Sequence, residues 1–186
     1  MLTKASIVTL SRMAMIPLFM ALMLIDNPSL TTAAVIIFVI ASMTDWVDGF
    51  LARKYNEVTT FGKFIDPLAD KLLIAAALLI FVETGRMASW AAMLIIAREF
   101  IITSLRLIAL TKGEVLAAGF SGKVKTMTQI ACTIFILAID TEHAIELFGH
   151  SPSLAANLAA WAGYVMVAVT LWSGIDYLVR HRKVLK

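Results

Sequence analysis

Four aspartates stand close together in the first half of the chain, in two pairs with helical spacing. Asp45 and Asp48 are three residues apart, and Asp66 and Asp70 are four residues apart, so each pair shares one face of a helix. The 17 residues between Asp48 and Asp66 allow the chain to reverse and bring the pairs together. Carboxylate oxygens suit hard divalent cations, and two such cations can clamp a phosphoryl transfer. The pattern therefore favours a two-metal site.

The alternative explanation is that these aspartates are solvated helix-end residues or N-caps. It fits Asp66, which precedes Pro67, because proline is favoured at the first position of a helix. It fits Asp45 and Asp48 poorly, because they follow 18 uncharged residues near a helix C-terminus, where the helix dipole disfavours anions. A carboxylate in the middle of a bilayer costs about 2.5–3.5 kcal/mol, so the cluster favours a function.

The elements that position these residues are apolar helices. Of the 186 residues, 60% are hydrophobic and only 16% are charged, whereas a soluble domain is about a quarter charged. Asp26–Asp45 and Glu146–Asp176 enclose uncharged runs of 18 and 29 residues, each long enough to cross a bilayer as a helix. The composition excludes a soluble globular domain and intrinsic disorder, and the lone Cys132 excludes a disulfide scaffold. We predict an all-α integral membrane protein with one domain, residues 1–186, and six transmembrane helices at 7–25, 30–50, 67–82, 88–110, 124–139 and 154–179.

Basic residues predict the orientation of these helices. Thirteen of the 16 Lys and Arg residues lie at the two termini and in the loops after the second and fourth spans, and only Arg86 lies in the alternate loops. The positive-inside rule then places both termini in the cytoplasm. A signal peptide is the alternative for the N-terminus, but residues 25–28 are Ile-Asp-Asn-Pro instead of a small-residue cleavage site. The formal charge of +3, placed beside apolar spans, argues against a nucleic-acid partner.

The segment around the aspartates resembles the signature of the CDP-alcohol phosphotransferase family. Residues 45–70 match D-x2-D-G-x2-A-R-x8-G-x3-D-x3-D at all eight fixed positions, and the six-span layout extends the resemblance along the chain. The resemblance implies an enzyme that displaces CMP from a CDP-linked group with the hydroxyl of an alcohol. It also implies two divalent metal ions as cofactors, Mg²⁺ first and Mn²⁺ as the alternative, since both favour oxygen ligands.

The same resemblance implies roles for individual residues. Asp45 and Asp66 would bridge both metals. Asp48 would complete one metal site and Asp70 the other, and Asp70 would also take the proton from the alcohol. The residues that would contact the CDP group are Ser6, Thr9, Gly49, Arg53 and Thr59, although family members often have Asn or Asp where Ser6 stands. Considered alone, Gly49 is also compatible with helix packing and Arg53 with a topology role.

A second group of charges lies in and beside the fourth and fifth spans. Arg98 and Arg106 are eight residues apart in an apolar run, about two turns, and so lie on roughly one helix face. They either form an ion pair with Glu99 or the aspartates, or bind an anionic substrate. The loop 121–126 at the cytoplasmic start of the fifth span adds lysines and hydroxyls, which suit phosphate. The predicted acceptor-binding residues are Arg98, Arg106, Ser121, Lys123 and Lys125.

The stretches 97–102, 104–106 and 122–126 resemble family members that use a phosphate ester as acceptor. The implied donor is CDP-diacylglycerol and the implied acceptor sn-glycerol 3-phosphate, giving phosphatidylglycerol phosphate and CMP. The resemblance also implies a homodimer among membrane lipids, in the bacterial cytoplasmic membrane, with its active site facing the cytoplasm. Other acceptors within the family (serine, inositol phosphate or phosphatidylglycerol) are the nearer alternatives. An ion-coupled transporter is the alternative from another class, although the acids cluster at one side of the membrane only.

Overall fold

The computed structural model is helical throughout most of the residues that it describes. These are 4–25, 27–55, 60–111, 119–139, 141 and 152–182, with side chains described except at 4–9, 45–55, 60–70, 110 and 152. Six helices lie in this part of the chain: α1 (Lys4–Met23), α2 (Pro28–Tyr55), α3 (Thr60–Glu83), α4 (Ser89–Thr111), α5 (Phe120–Ile139) and α6 (Pro152–Arg180). Each predicted span overlaps one of them, so the all-α prediction is confirmed for the described residues.

Two predicted helix starts are wrong. Helix α3 begins at Thr60, seven residues before the predicted start, so Asp66 and Pro67 lie inside the helix and the N-cap explanation for Asp66 fails. Phe61, Ile65 and Leu68 recur at helical spacing here, but the interspersed charges hid the period. Helix α5 begins at Phe120, so the segment 121–126 forms its first turns and is not a loop.

The outside of the bundle is strongly apolar. Among the described residues, Phe120–Ile139 and Ser153–Arg180 are long and apolar enough to cross a membrane, and Leu10–Met23 and Pro28–Thr44 are shorter apolar helical segments. Large apolar side chains with more than half of their surface exposed include Met93, Leu107, Met127, Trp161 and Ile175. An apolar surface of this extent indicates contact with lipid. The layout with six spans and both termini in the cytoplasm stays a prediction.

The helices pack as two groups joined through α3. Helix α1 packs against α2 and α3, and α4 and α5 each pack against α6. Helix α3 contacts α2, α4 and α5, and α2 also contacts α5. Buried side chains from both groups form one core, which includes Phe19, Phe38, Leu78, Phe81, Ile95, Ile136 and Met166. The helix that carries Asp66 and Asp70 therefore lies directly against the two helices that carry the predicted acceptor residues.

The turn after α3 sets where α4 begins. Gly85 has a φ of 69°, the left-handed conformation that glycine adopts without steric cost. The N–H groups of Arg86 and Met87 both donate to the carbonyl oxygen of Phe81, at 2.8 and 2.9 Å. These bonds satisfy the end of α3 and return the chain beside it as α4.

Candidate active site

The four aspartates lie on two helices that pack against each other. Asp45 and Asp48 are near the C-terminal end of α2, and Asp66 and Asp70 are in the first half of α3. The two helices are in contact and only four residues separate Tyr55 from Thr60. Because both pairs keep helical spacing on continuous helices, the donor set fits divalent cations.

The metal and nucleotide roles of these residues stay predictions. The side chains of the aspartates and of Ser6, Thr9, Gly49 and Arg53 lie outside the described residues, as does the whole of Thr59. Within the part of the chain that the structure describes, no group of three or more His, Cys, Asp or Glu residues could hold a metal ion.

The acceptor side of the predicted site is described, and its centre is Glu99. Oε1 of Glu99 accepts a hydrogen bond from Nζ of Lys125 at 2.6 Å and another from Nη1 of Arg98 at 3.0 Å. The three side chains are 20%, 7% and 13% exposed, respectively. The ion pair with Glu99 that the sequence left open is therefore present, and it is shared with a second cation. One carboxylate between two cations leaves an excess of one positive charge in a largely buried place.

Helix α6 holds Arg98 from the opposite side. Nη2 of Arg98 donates to Oγ of Ser173 at 2.9 Å, and Ser173 is fully buried. A Cβ atom at Gly174 would lie 3.2 Å from Cγ of Arg98, so the absence of a side chain there allows this close approach. Nε of Arg98 is buried and has no hydrogen-bond partner among the described residues. The guanidinium is thus fixed in place and keeps a donor for a ligand.

A cavity of about 90 Å³ opens beside these cations, between α3, α4 and α5. Its polar lining comprises Lys71, Glu99, Lys125, Thr126 and Gln129, and the remaining walls are apolar. Gln129 is only 2% exposed, and its Nε2 has no hydrogen-bond partner among the described residues. Lys71 follows Asp70 directly in α3, so the cavity lies next to the helix that carries two of the aspartates.

A second polar contact joins the beginning of α5 to the end of α6. Oγ of Ser121 donates to Oδ2 of Asp176 at 2.5 Å, and Nε of Arg180 donates to Oδ1 of the same carboxylate at 2.7 Å. Ser121 is buried. The contact ties together two helix ends that both carry polar residues.

The structure separates the other two predicted acceptor residues from Glu99. Arg106 is exposed, and its Cζ lies 5.8 Å from the centroid of the Tyr177 ring. Lys123 is exposed, whereas Lys125 is buried. Residues two apart on a helix point in different directions, so the two lysines of α5 do not face the same surroundings. Arg98 and Lys125 meet at Glu99, and Ser121 shares the inward face of α5 with Lys125.

Four polar residues at this site were absent from the sequence prediction: Lys71, Gln129, Ser173 and Asp176. The signals for two of them are present in the sequence. Ser121, Lys125 and Gln129 recur every four residues, which places them on one helix face. Asp176 ends a run of 29 uncharged residues, the same pattern that singled out Asp45. Ser173 carries no comparable signal, because its partner is distant in sequence.

Comparison with known proteins places the chain among lipid-forming transferases. A family model described as CDP-alcohol phosphatidyltransferase matches residues 2–172. A Bacillus subtilis (strain 168) protein named CDP-diacylglycerol–glycerol-3-phosphate 3-phosphatidyltransferase is 42% identical over 191 residues, which cover 96% of this chain and 95% of the relative. Proteins with the same name from Escherichia coli (strain K12) and Salmonella paratyphi A are 37% and 36% identical over 180 residues, 93% of this chain and 91% of each relative.

Proposed function

Because the chain belongs to the CDP-alcohol phosphatidyltransferase family, we propose that it transfers the phosphatidyl group of CDP-diacylglycerol to sn-glycerol 3-phosphate. The products are phosphatidylglycerol phosphate and CMP. The observation that carries this function is the 42% identity over 96% of the chain to a relative whose name states this reaction. The cluster of Arg98 and Lys125 supports the choice of acceptor, because a phosphate ester needs cations that serine or inositol alone would not.

The reaction exchanges one phosphorus–oxygen bond for another. The glycerol hydroxyl oxygen forms a bond to the phosphorus that carries the diacylglycerol, and the bond from that phosphorus to CMP breaks. CMP leaves with the electron pair, and the hydroxyl proton passes to the carboxylate of Asp70. Placing the hydroxyl in line with the bond to CMP supplies most of the rate in such transfers.

Asp45, Asp48, Asp66 and Asp70 would hold two divalent cations, Mg²⁺ or Mn²⁺. When bound, these cations neutralise the diphosphate and stabilise the charge that develops during transfer. Gly49, Arg53, Thr59, Ser6 and Thr9 would contact the CDP group. The contact of α2 with α3, and the helical spacing of both aspartate pairs, support this assignment.

Arg98 and Lys125 would bind the phosphate of the acceptor. Both are largely buried beside the cavity next to α3, where a charge–charge contact is screened less than at the surface. Arg106, Ser121 and Lys123 would complete the approach from the cytoplasmic end of α4 and α5. The apolar walls of the same cavity limit the water that competes with the acceptor hydroxyl.

The bacterial relatives and the two long apolar helices indicate a membrane protein. We further propose that it is a homodimer in the cytoplasmic membrane, with the active site at the cytoplasmic face, where glycerol 3-phosphate is dissolved. Within the single chain, Ala159 and Gly163 of α6 are already buried, so these small residues do not by themselves support a dimer interface. Cross-linking in native membranes tests the oligomeric state.

The test of the function is an acceptor panel with the purified protein in detergent. Radiolabelled glycerol 3-phosphate, serine, inositol phosphate and phosphatidylglycerol are each supplied with CDP-diacylglycerol, and both CMP and labelled lipid are measured. We expect labelled lipid with glycerol 3-phosphate alone, loss of product on chelation of divalent cations and recovery on addition of Mg²⁺. Product with another acceptor instead would overturn the substrate assignment. Metal uptake by proteoliposomes without release of CMP would support a transporter.

A further inference from the structure

Glu99 has a role that neither the family signature nor the proposed reaction assigns. It is an acidic residue placed between the two cations that would bind the acceptor phosphate. A carboxylate in an anion-binding site lowers the net positive charge, so electrostatics alone would disfavour it. Its geometry offers a reason for its presence.

Glu99 holds the two cations with a single oxygen atom. Nη1 of Arg98 lies 3.0 Å and Nζ of Lys125 lies 2.6 Å from Oε1, so the two nitrogens are at most 5.6 Å apart. The oxygens of one phosphate group can reach donors at this separation with bonds of ordinary length. Without the shared oxygen, the two cations would repel each other across a poorly screened space.

No other direct contact between the helices fixes this separation. Over the described residues, α4 and α5 do not pack against each other, and each packs against α6. The cavity lined by Glu99 and Lys125 lies between them. Arg98 is additionally held by Ser173 of α6. The position of Lys125 relative to Arg98 therefore depends on the bridge through Glu99.

We propose that Glu99 is a positioning residue for the acceptor: its carboxylate sets Arg98 and Lys125 at the spacing at which both contact one phosphate group of glycerol 3-phosphate. This inference rests on the proposed function, because it concerns the acceptor of that reaction. It also predicts that Glu99 acts on the acceptor and not on CDP-diacylglycerol.

The test compares Glu99→Gln with wild type in steady-state kinetics, varying each substrate in turn. Glutamine is close in size but carries no charge to hold two cations. We expect the KM for glycerol 3-phosphate to rise about 10- to 100-fold, with the KM for CDP-diacylglycerol within twofold of wild type. Glu83→Gln is the matched control, because it makes the same chemical change at an exposed residue of α3, and we expect both KM values unchanged.

Two further variants separate positioning from a structural role. Glu99→Asp keeps the charge but shortens the side chain, and we expect an acceptor KM between those of wild type and Glu99→Gln. It also provides the comparison if Glu99→Gln does not fold. In a Lys125→Met background, Glu99→Gln should raise the acceptor KM by less than about threefold, because the bridge is already broken.

Direct binding of inorganic phosphate to the purified proteins is measured by calorimetry in parallel. We expect weaker binding to Glu99→Gln than to wild type, a result that does not depend on which acceptor is used. The proposal is overturned if Glu99→Gln leaves the acceptor KM unchanged, lowers it, or raises both KM values equally. Wild-type protein that binds phosphate but forms no lipid from glycerol 3-phosphate would instead overturn the proposed function.

Discussion

Ser121 in the first turn of α5 donates its hydroxyl hydrogen to Asp176 near the end of α6, at 2.5 Å. A serine hydroxyl has one hydrogen to donate, so in this arrangement Ser121 offers a ligand only its lone pairs. The contact joins two helix ends that lie 55 residues apart in sequence. Its first consequence is for stability.

Replacing Asp176 with alanine should destabilise the junction of α5 and α6. The buried Ser121 hydroxyl would lose its acceptor, and we expect the thermal midpoint of the detergent-solubilised protein to fall by about 2–4 °C. Arg180→Ala is the control, because it removes an exposed i,i+4 ion pair of small value, and should shift the midpoint by less than about 1 °C. Equal shifts for the two variants would contradict a specific role for the Ser121 contact.

Gly174 should be required for the acceptor site and not only for packing. A Cβ atom there would lie 3.2 Å from Cγ and 3.6 Å from Nε of Arg98, so Gly174→Ala should displace the guanidinium. We expect the KM for glycerol 3-phosphate to rise about five- to tenfold, because a displacement well below 1 Å weakens oriented contacts. Steady-state kinetics with the acceptor varied provide the measurement.

Gly163→Ala is the matched control on the same helix. There the added Cβ atom would lie 3.3 Å from Cε of Met87, the flexible end of a methionine side chain that can move aside. We expect an acceptor KM within twofold of wild type. Equal effects of the two substitutions would indicate a general cost of alanine in α6 and not displacement of Arg98.

The two lysines at the start of α5 should differ in importance. Lys125 is buried and paired with Glu99, so Lys125→Met should lower kcat/KM for glycerol 3-phosphate by at least about tenfold. Lys123 is exposed, and Lys123→Met should change the same quantity less than about threefold, as is usual for surface substitutions. Similar losses in both variants would show that Lys123 also contacts the acceptor.

Asp70→Asn should stop turnover without unfolding the protein. The substitution removes the proposed proton acceptor, a group worth about 10²–10⁴-fold in rate, as well as one carboxylate of the proposed metal site. The measurement is CMP release, with gel filtration and thermal unfolding as checks of folding. Activity close to wild type in a folded Asp70→Asn protein would refute the assigned role, and Glu83→Gln again serves as the unchanged control.

The correct predictions from the sequence and the wrong ones have different physical origins. Long uncharged runs predicted all six helices, because an apolar run and the spacing of its breakers are local properties. The starts of α3 and α5 were wrong because both helices extend into charged segments, where hydropathy no longer marks the boundary. Helical period, read through Phe61, Ile65 and Leu68, would have extended α3 correctly.

What the sequence determined by itself is the local part of this protein: the helical class, the aspartate signature of the family and the presence of scarce charges within apolar segments. Only the tertiary structure decided which of those charges meet. Arg98 and Ser173 are 75 residues apart, and the pairing of Glu99 with Lys125 depends on how α4 and α5 are rotated against α6. Rotation of a helix is set by packing over its whole length, so one lysine of α5 is buried at Glu99 while another, two residues away, faces outward.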